Sequence, residues 1–191
     1  MLVVPVVALG ASLLTLISGF GLGTLLLPVF ALFFPLEVAI LLTAVVHLLN
    51  NLFKLGLLAP HIRWPVVLRF GIPGMVGAFI GARLMRSLSA QEPLYQGVSH
   101  PVDVLDLAIA AAMLVFGAFE LSKTLNALSL PPRWMVPGGL LSGFFGGFSG
   151  HQGALRSLFL LRAGLGKENF IATGVAIACL VDITRLPVYI G

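Results

Sequence analysis

Residues 3–34 read VVPVVALGASLLTLISGFGLGTLLLPVFALFF, an apolar stretch of 32 residues without a charged side chain. As one helix it would be about 48 Å long at ~1.5 Å per residue, but the hydrocarbon core of a bilayer is only about 30 Å thick. The chain must therefore break, and residues 18–24 (SGFGLGT) place three glycines in five positions. We predict a helix to about Ile17, a break at 18–24, and a second helix that ends before Pro35.

The composition around this stretch is that of a membrane protein. Of 191 residues, 59% are hydrophobic and 9% are charged, against roughly 45–50% and about 25% in soluble domains. So few charges cannot form the hydrated shell of a soluble enzyme. The apolar residues form blocks close to the roughly 20 residues that span a bilayer. This pattern predicts an all-α, polytopic helical bundle, a multi-pass protein of a cell membrane.

The positive charges and the single cysteine exclude other classes. The net charge of +4 comes from eleven Lys+Arg that are scattered and form no run, which argues against nucleic acid as a partner. Cys179 is the only cysteine, so an internal disulfide and a CxxC motif are excluded. The first segment lacks a positively charged start and a small-residue cleavage site, so we expect a retained signal anchor.

Further apolar segments are predicted to span the membrane, at residues 36–59, 64–85, 103–121 and 170–190. In the second of these, Gly74, Gly77 and Gly81 share one helical face. The spacing of the last two is the GxxxG motif, which predicts close packing against a neighbouring helix. Residues 87–101 form the longest polar stretch and are predicted to be an aqueous loop.

Residues 134–163 repeat the pattern of the opening stretch, with a second glycine-rich segment, SGFFGGFSG, at 142–150. A shift of 131 positions aligns the two predicted breaks and places Asn51 on Asp182, each three residues before a cation. We interpret the chain as two homologous halves, each with a glycine-broken helix. The predicted repeats are residues 1–125 and 130–191. The second is shorter by two spans, so we expect a chain that is truncated or naturally shortened.

Breaks of this kind are expected to form an anion site. Unpaired backbone groups are costly in lipid, so a break persists where it is buried in protein or faces a wet cavity. The free N–H groups at a helix N-terminus attract an anion. Ser149 and Gln152 fit a capping box that opens the short helix, and Arg156 follows on the same face. The alternative is that the glycines only allow tight turns and close packing.

The candidate substrate-binding residues belong to the two breaks and to the helix after the first one. They are Gly21, Gly23, Thr24, Asn50, Asn51, Ser149, Gly150, His151, Gln152 and Arg156. The planar guanidinium of Arg156 suits an oxyanion, although an arginine can also snorkel to an interface. His151 can bind the anion, handle a proton, or serve as a structural hydrogen-bonding group.

Two other polar groups lie on predicted spanning helices. His47, Asn51 and Lys54, spaced four and three apart, form a polar stripe on an otherwise apolar helix. We expect Lys54, near the helix end, to snorkel to the interface. Asp182 and Arg185 are three apart and are predicted to form a structural ion pair.

The sequence contains no HExxH, no GxSxG, no carboxylate cluster and no P-loop. These are the motifs that would indicate metal-dependent, nucleophilic or nucleotide-driven chemistry. We therefore expect no enzymatic activity, no cofactor and no metal site.

The glycine-rich segments resemble those of the TauE/SafE sulfite exporter family of permeases. The resemblance rests on residues 19–28 (GFGLGTLLLP), 146–156 (GGFSGHQGALR) and 172–174 (ATG), and it covers essentially the whole chain. It implies secondary transport of a small anion such as sulfite, a sulfonate or a related organic acid. Departures from the family pattern at residues 21–23 and 151–152 leave the identity of the anion open, and the family's members have more spans.

The leading interpretation is a proton- or ion-coupled anion permease. The alternative is a non-transporting membrane scaffold or assembly subunit, whose glycine faces serve only helix packing. The expected partners are a small anion, the lipid bilayer and a coupling proton or cation, and a homo-oligomer stays open. The predicted cytoplasmic connections are those flanked by more cations: Arg63, Arg69, Lys123 and Arg133. By this bias the loop at 87–101 lies outside.

Overall fold

The computed structural model describes residues 22–96, 101–122 and 128–191, with the single positions 6, 10 and 124. Its helices are α1 (Leu22–Ala31), α2 (Leu36–Leu58), α3 (Trp64–Ser89), α4 (Val104–Leu121), α5 (Met135–Ser149), α6 (Gly153–Leu160) and α7 (Lys167–Ile190). Two short strands, β1 (Tyr95–Gln96) and β2 (Pro101–Val102), pair antiparallel in the predicted loop.

Within these ranges, four helical segments are long and apolar enough to cross a membrane: Leu36–His61, Trp64–Ser89, Val104–Leu121 and Lys167–Ile190. The first consists of α2 and a 3₁₀ turn, Ala59–His61. Helix α3 is irregular near its start, where residues Val67–Gly71 form a π-helical turn. The predicted all-α membrane bundle is confirmed.

Helix α7 lies at the centre of the bundle and packs against α2 and α3. In its most apolar window 61% of the residues are buried, against 22% in α4. The central position of α7 brings its polar residues, Asp182 and Arg185, into the interior, where both are fully buried.

Helices α3 and α5 pack with their backbones in direct contact. A Cβ atom placed on Gly77 would lie 2.7 Å from the backbone nitrogen of Phe144. One placed on Gly143 would lie 2.6 Å from the carbonyl carbon of Gly74. Both distances are too short for a real side chain, so this approach requires glycine on both helices. Gly81 makes the same kind of contact one turn further along α3.

Gly139, Gly143 and Gly147 of α5 therefore serve this packing, and the prediction of a break across residues 142–150 is wrong in extent. Helix α5 continues to Ser149, and α6 begins at Gly153. The interruption covers only residues 150–152. Gly143 has no side chain, so α3 approaches closely at this position. The resulting helix–helix contact stabilises the helical conformation there.

Helix α4 begins as its sequence predicts. Asp103 is the N-cap residue, and its backbone N–H donates a 2.9 Å hydrogen bond to Oδ2 of Asp106. The Asp103 side chain in turn accepts from the backbone of the first turn, which completes a capping box. Both carboxylates also lie at the positive end of the helix dipole.

Labelling can test the predicted orientation because Cys179, the native cysteine, is buried. Gln91 and Thr124 are exposed positions on the two sides of α4. In whole cells, a membrane-impermeant thiol reagent is expected to modify Gln91→Cys and to leave Thr124→Cys unmodified. The unsubstituted protein is the control for background labelling. Modification of Thr124→Cys alone would reverse the orientation.

Candidate functional site

The site is built around the interruption between α5 and α6. Gly150 has a φ of 85°, a left-handed conformation that glycine adopts without a steric penalty. Its N–H donates to the carbonyl of Gly146, which ends α5. Helix α6 begins at Gly153, after the interruption. Its first N–H groups therefore lack the preceding helical turn whose carbonyls would accept their hydrogen bonds.

The predicted capping box at this break is wrong. The hydroxyl of Ser149 donates back to the carbonyl of Phe145 at 3.1 Å and does not cap α6. Gln152 occupies the N-cap position, but its side chain reaches Asp182 on α7. Both residues are buried. Their polar groups therefore hold the break in place and connect it to the centre of the bundle.

A cavity of about 240 Å³ lies beside the break, between α1, α2, α6 and α7. Its lining includes these predicted substrate-binding residues: Gly23, Thr24, Asn50, Asn51, Gly150, His151 and Arg156. Ser149 and Gln152 are buried next to the cavity without lining it. Residues 18–21 of the first predicted break, which include Gly21, lie outside the described residues. Gly23 and Thr24 are part of α1.

Lys54 lines the cavity and is 7% exposed, so the expectation that it snorkels to the interface is wrong. The helical segment of α2 continues to His61, which leaves Lys54 about two turns from the end. A polar stripe that also contains His47 and Asn51 faces the same cavity. The stripe itself was visible in the sequence, but the length of the helix was not.

Positive charge exceeds negative charge on the described part of the cavity wall. The cations are Lys54, Arg156 and Lys167, and the carboxylate is Glu120. Glu120 accepts a 3.0 Å hydrogen bond from the hydroxyl of Thr24. Sequence reasoning missed Glu120 because it lies at the end of α4, where an acidic residue usually indicates a solvated helix terminus.

Arg156 lies on α6, one turn after the break, and is 8% exposed. Its Nη1 donates to Oε1 of Gln152 at 3.2 Å, the i, i+4 contact expected from their spacing. Gly174 on α7 lies beside it, since a Cβ atom there would be 3.4 Å from Nε of Arg156. The guanidinium is therefore held against the cavity by a hydrogen bond on one side and a small residue on the other.

His151 lies within the break and is 4% exposed. Its ring stacks on Phe116 of α4, with centroids 5.4 Å apart and planes 7° from parallel. Nδ1 lies 3.1 Å from the hydroxyl of Ser149. Nε2 is buried and has no hydrogen-bond partner among the described residues. A buried imidazole nitrogen without a partner is costly, which indicates a ligand-binding group.

Behind the cavity, Asp182 is the centre of a buried polar network. Its Oδ1 accepts from Nε of Arg185 at 2.9 Å and from Nε2 of Gln152 at 3.3 Å, and its Oδ2 lies 2.6 Å from Nδ1 of His47. Arg185 also donates to the carbonyl of Gly146 at 2.7 Å. The two charges predicted to pair are thus in contact, and the contacts with His47 and Gln152 are additional.

A helical membrane bundle that encloses a polar, cation-rich cavity beside a broken helix has the architecture of a membrane transporter. The family model described as sulfite exporter TauE/SafE matches residues 4–191. The chain belongs to this family, which confirms the resemblance found in its glycine-rich segments. Neither the curated proteins nor the solved structures yielded a match.

Proposed function

We propose that the protein is a secondary permease for a small anion in the bacterial inner membrane, and that the anion binds in the cavity beside the break. Sulfite is the candidate that the family's description names, and the resemblance of the glycine-rich segments adds sulfonates and related organic acids. The protein is a multi-pass membrane protein of a transporter family, so transport across the bilayer is the activity to test.

One observation supports an anion as the substrate. The described wall of the cavity has three cations and one carboxylate, inside a bundle where charge is poorly screened. A positive excess in such surroundings is costly unless a negative charge joins it. A small anion in the cavity would supply that charge, whereas a cation would be repelled.

Two side chains are suited to bind the anion directly. Arg156 offers a planar set of donors that matches an oxyanion, and its bond to Gln152 uses one nitrogen, Nη1. His151 can donate from its unpartnered Nε2 once the ring is protonated, because the neutral ring donates from Nδ1 to the Ser149 hydroxyl, whose own hydrogen goes to the carbonyl of Phe145. The N-terminus of α6 lies beside both residues and favours negative charge. This set of donors recognises an oxygen-rich anion and not a halide.

The test is anion flux into proteoliposomes that contain the protein, with sulfite and a small sulfonate compared with chloride. Arg156→Gln is expected to reduce flux by roughly ten- to one-hundred-fold, because a hydrogen bond to a charged group contributes about 1.5–3 kcal/mol. Arg156→Lys keeps the charge and should lose less. The matched control is Arg162→Gln, since Arg162 is exposed.

Wild-type flux of an oxyanion with no loss in Arg156→Gln would remove Arg156 from the site. A folded wild-type protein that carries none of these anions would contradict the permease and would favour the scaffold alternative. Equal loss in Arg162→Gln would show that the effect does not depend on the cavity.

A further inference from the structure

The geometry points to a proton-binding site formed by His47 and Asp182, through which a proton is carried together with the anion. This inference rests on the proposed transport function and names the coupling ion of the same cavity. His47 is the titratable member of the Asp182 network that lines the cavity. Asp182 itself is fully buried, so a proton reaches the network through the imidazole.

The contacts of His47 decide which of its nitrogens exchanges the proton. Its side chain is 13% exposed, and Nδ1 lies 2.6 Å from Oδ2 of Asp182. The side-chain amide of Asn51 lies 3.0 Å from the same nitrogen, and it is not the hydrogen-bond donor there, since Nδ1 carries its own hydrogen toward Asp182. Because a carboxylate only accepts, Nδ1 donates its hydrogen to Asp182 in both the neutral and the charged ring. The exchangeable proton is therefore held on Nε2.

Protonation of His47 changes the charge at the cavity. Arg185 already balances Asp182, so the network is neutral while His47 is neutral. A proton that arrives from water forms one N–H bond at Nε2, breaks no bond in the protein and adds one positive charge beside the cavity. That charge attracts an anion. By linkage, a bound anion raises the proton affinity of His47 to the same degree.

The other charged and titratable groups around the cavity come from α2, α4, α6, α7 and the break, while α1 contributes none. They are Asp182, Arg185 and Lys167 on α7, Arg156 on α6, Lys54 on α2, His151 in the break and Glu120 on α4. A bound anion adds a negative charge among these cations, beside His47. Proton and anion therefore bind and leave together, which is the requirement for symport.

The protein contains a matched comparison for this site. His61 lies at the end of the same helical segment, and its Nε2 is 2.9 Å from a carboxylate oxygen of Glu168 on α7. This pair has the same chemistry as His47 and Asp182. Its side chains are 41% and 70% exposed, however, and neither residue lines the cavity.

Proton-driven influx into proteoliposomes tests the proposal. The probe is a small sulfonate, because it stays ionised over the pH range and its own charge does not change. Wild-type influx is expected to rise about tenfold for each unit by which the external pH is lowered, since one proton binds per anion. His47→Gln should lose this dependence, and His61→Gln should keep it.

Exchange of the sulfonate at equal pH on both sides separates the inference from the proposed function. No exchange by the wild type would overturn the proposed function and the inference with it. Wild-type exchange without a response to the proton gradient would leave transport standing and overturn the inference. A gradient response that persists in His47→Gln, or that disappears equally in His61→Gln, would also overturn it.

A second measurement needs no variant to transport or fold normally. In the ¹⁵N-histidine NMR spectrum of the wild type, assigned through sequential connectivity, the Nε2 signal of His47 is expected to titrate. Addition of the sulfonate should move that titration to higher pH. An Nε2 signal that does not titrate, or that ignores the sulfonate, would overturn the inference.

Discussion

Gly77→Leu and Gly143→Leu are each expected to abolish recovery of folded protein from the membrane. At both positions the neighbouring helix presents backbone, 2.6–2.7 Å from where a Cβ atom would be, and backbone cannot rotate aside as a side chain can. Overpacking of a well-packed core typically costs about 1–3 kcal/mol. A leucine here must separate two helix backbones along their length, and the free-energy cost of that separation exceeds this range. The measurement is the monodisperse fraction after detergent extraction and size-exclusion chromatography.

Gly56→Leu and Gly117→Leu are the matched controls. Both glycines are in spanning helices, and apart from the helix's own backbone no atom lies within 4 Å of a Cβ atom placed on either. These variants should be recovered at close to the wild-type yield. Normal recovery of Gly77→Leu and Gly143→Leu would mean that α3 and α5 are not in backbone contact in the membrane.

Asp182→Ala is expected to destabilise the protein by about 3–5 kcal/mol, because it leaves a buried charge without its partner. Arg185 is fully buried and pairs with Asp182 at 2.7 Å. The matched control is Asp106→Ala at the partly exposed start of α4, where loss of a cap interaction costs about 0.5–2 kcal/mol. The measurement is thermal or denaturant-induced unfolding in detergent.

The double variant Asp182→Leu with Arg185→Leu distinguishes a lost partner from lost packing. Replacing a whole buried ion pair with apolar residues is often neutral or stabilising. Recovery is expected to be partial, because Arg185 also binds the carbonyl of Gly146. Equal stability of Asp182→Ala and Asp106→Ala would contradict the central role of the ion pair.

The fold was predictable from sequence because hydropathy and glycine spacing report on it directly. A segment as apolar as 104–121 has no stable place except in a bilayer, and Gly77 with Gly81 marked the tightest helix contact. The partner of that face was not predictable. The sequence alone predicts a break at the glycines of α5, because a glycine that allows close packing cannot be distinguished from a glycine at a hinge. The position of the neighbouring helix distinguishes the two roles.

The candidate site was predictable in its residues but not in its contacts. Residues of the second break and Asn51 line one cavity because a break and a polar stripe are both unfavourable in lipid. The pairing of His47 with Asp182 joins positions 135 residues apart, and it depends on how α2 and α7 pack. No local signal carries that information. Lys54 was misplaced for a related reason, since its depth depends on where the helix ends.

The three-residue interruption after Ser149 splits one dipole into two. The carbonyl end of α5 carries partial negative charge, and it is met by the guanidinium of Arg185 at Gly146 and by the hydroxyl of Tyr189 at Gly147. The amide end of α6 carries partial positive charge and opens on the cavity. An unbroken helix would have both of its charged ends at the membrane surfaces. Here the negative pole is neutralised inside the protein, so the positive pole acts on the cavity without an opposing field.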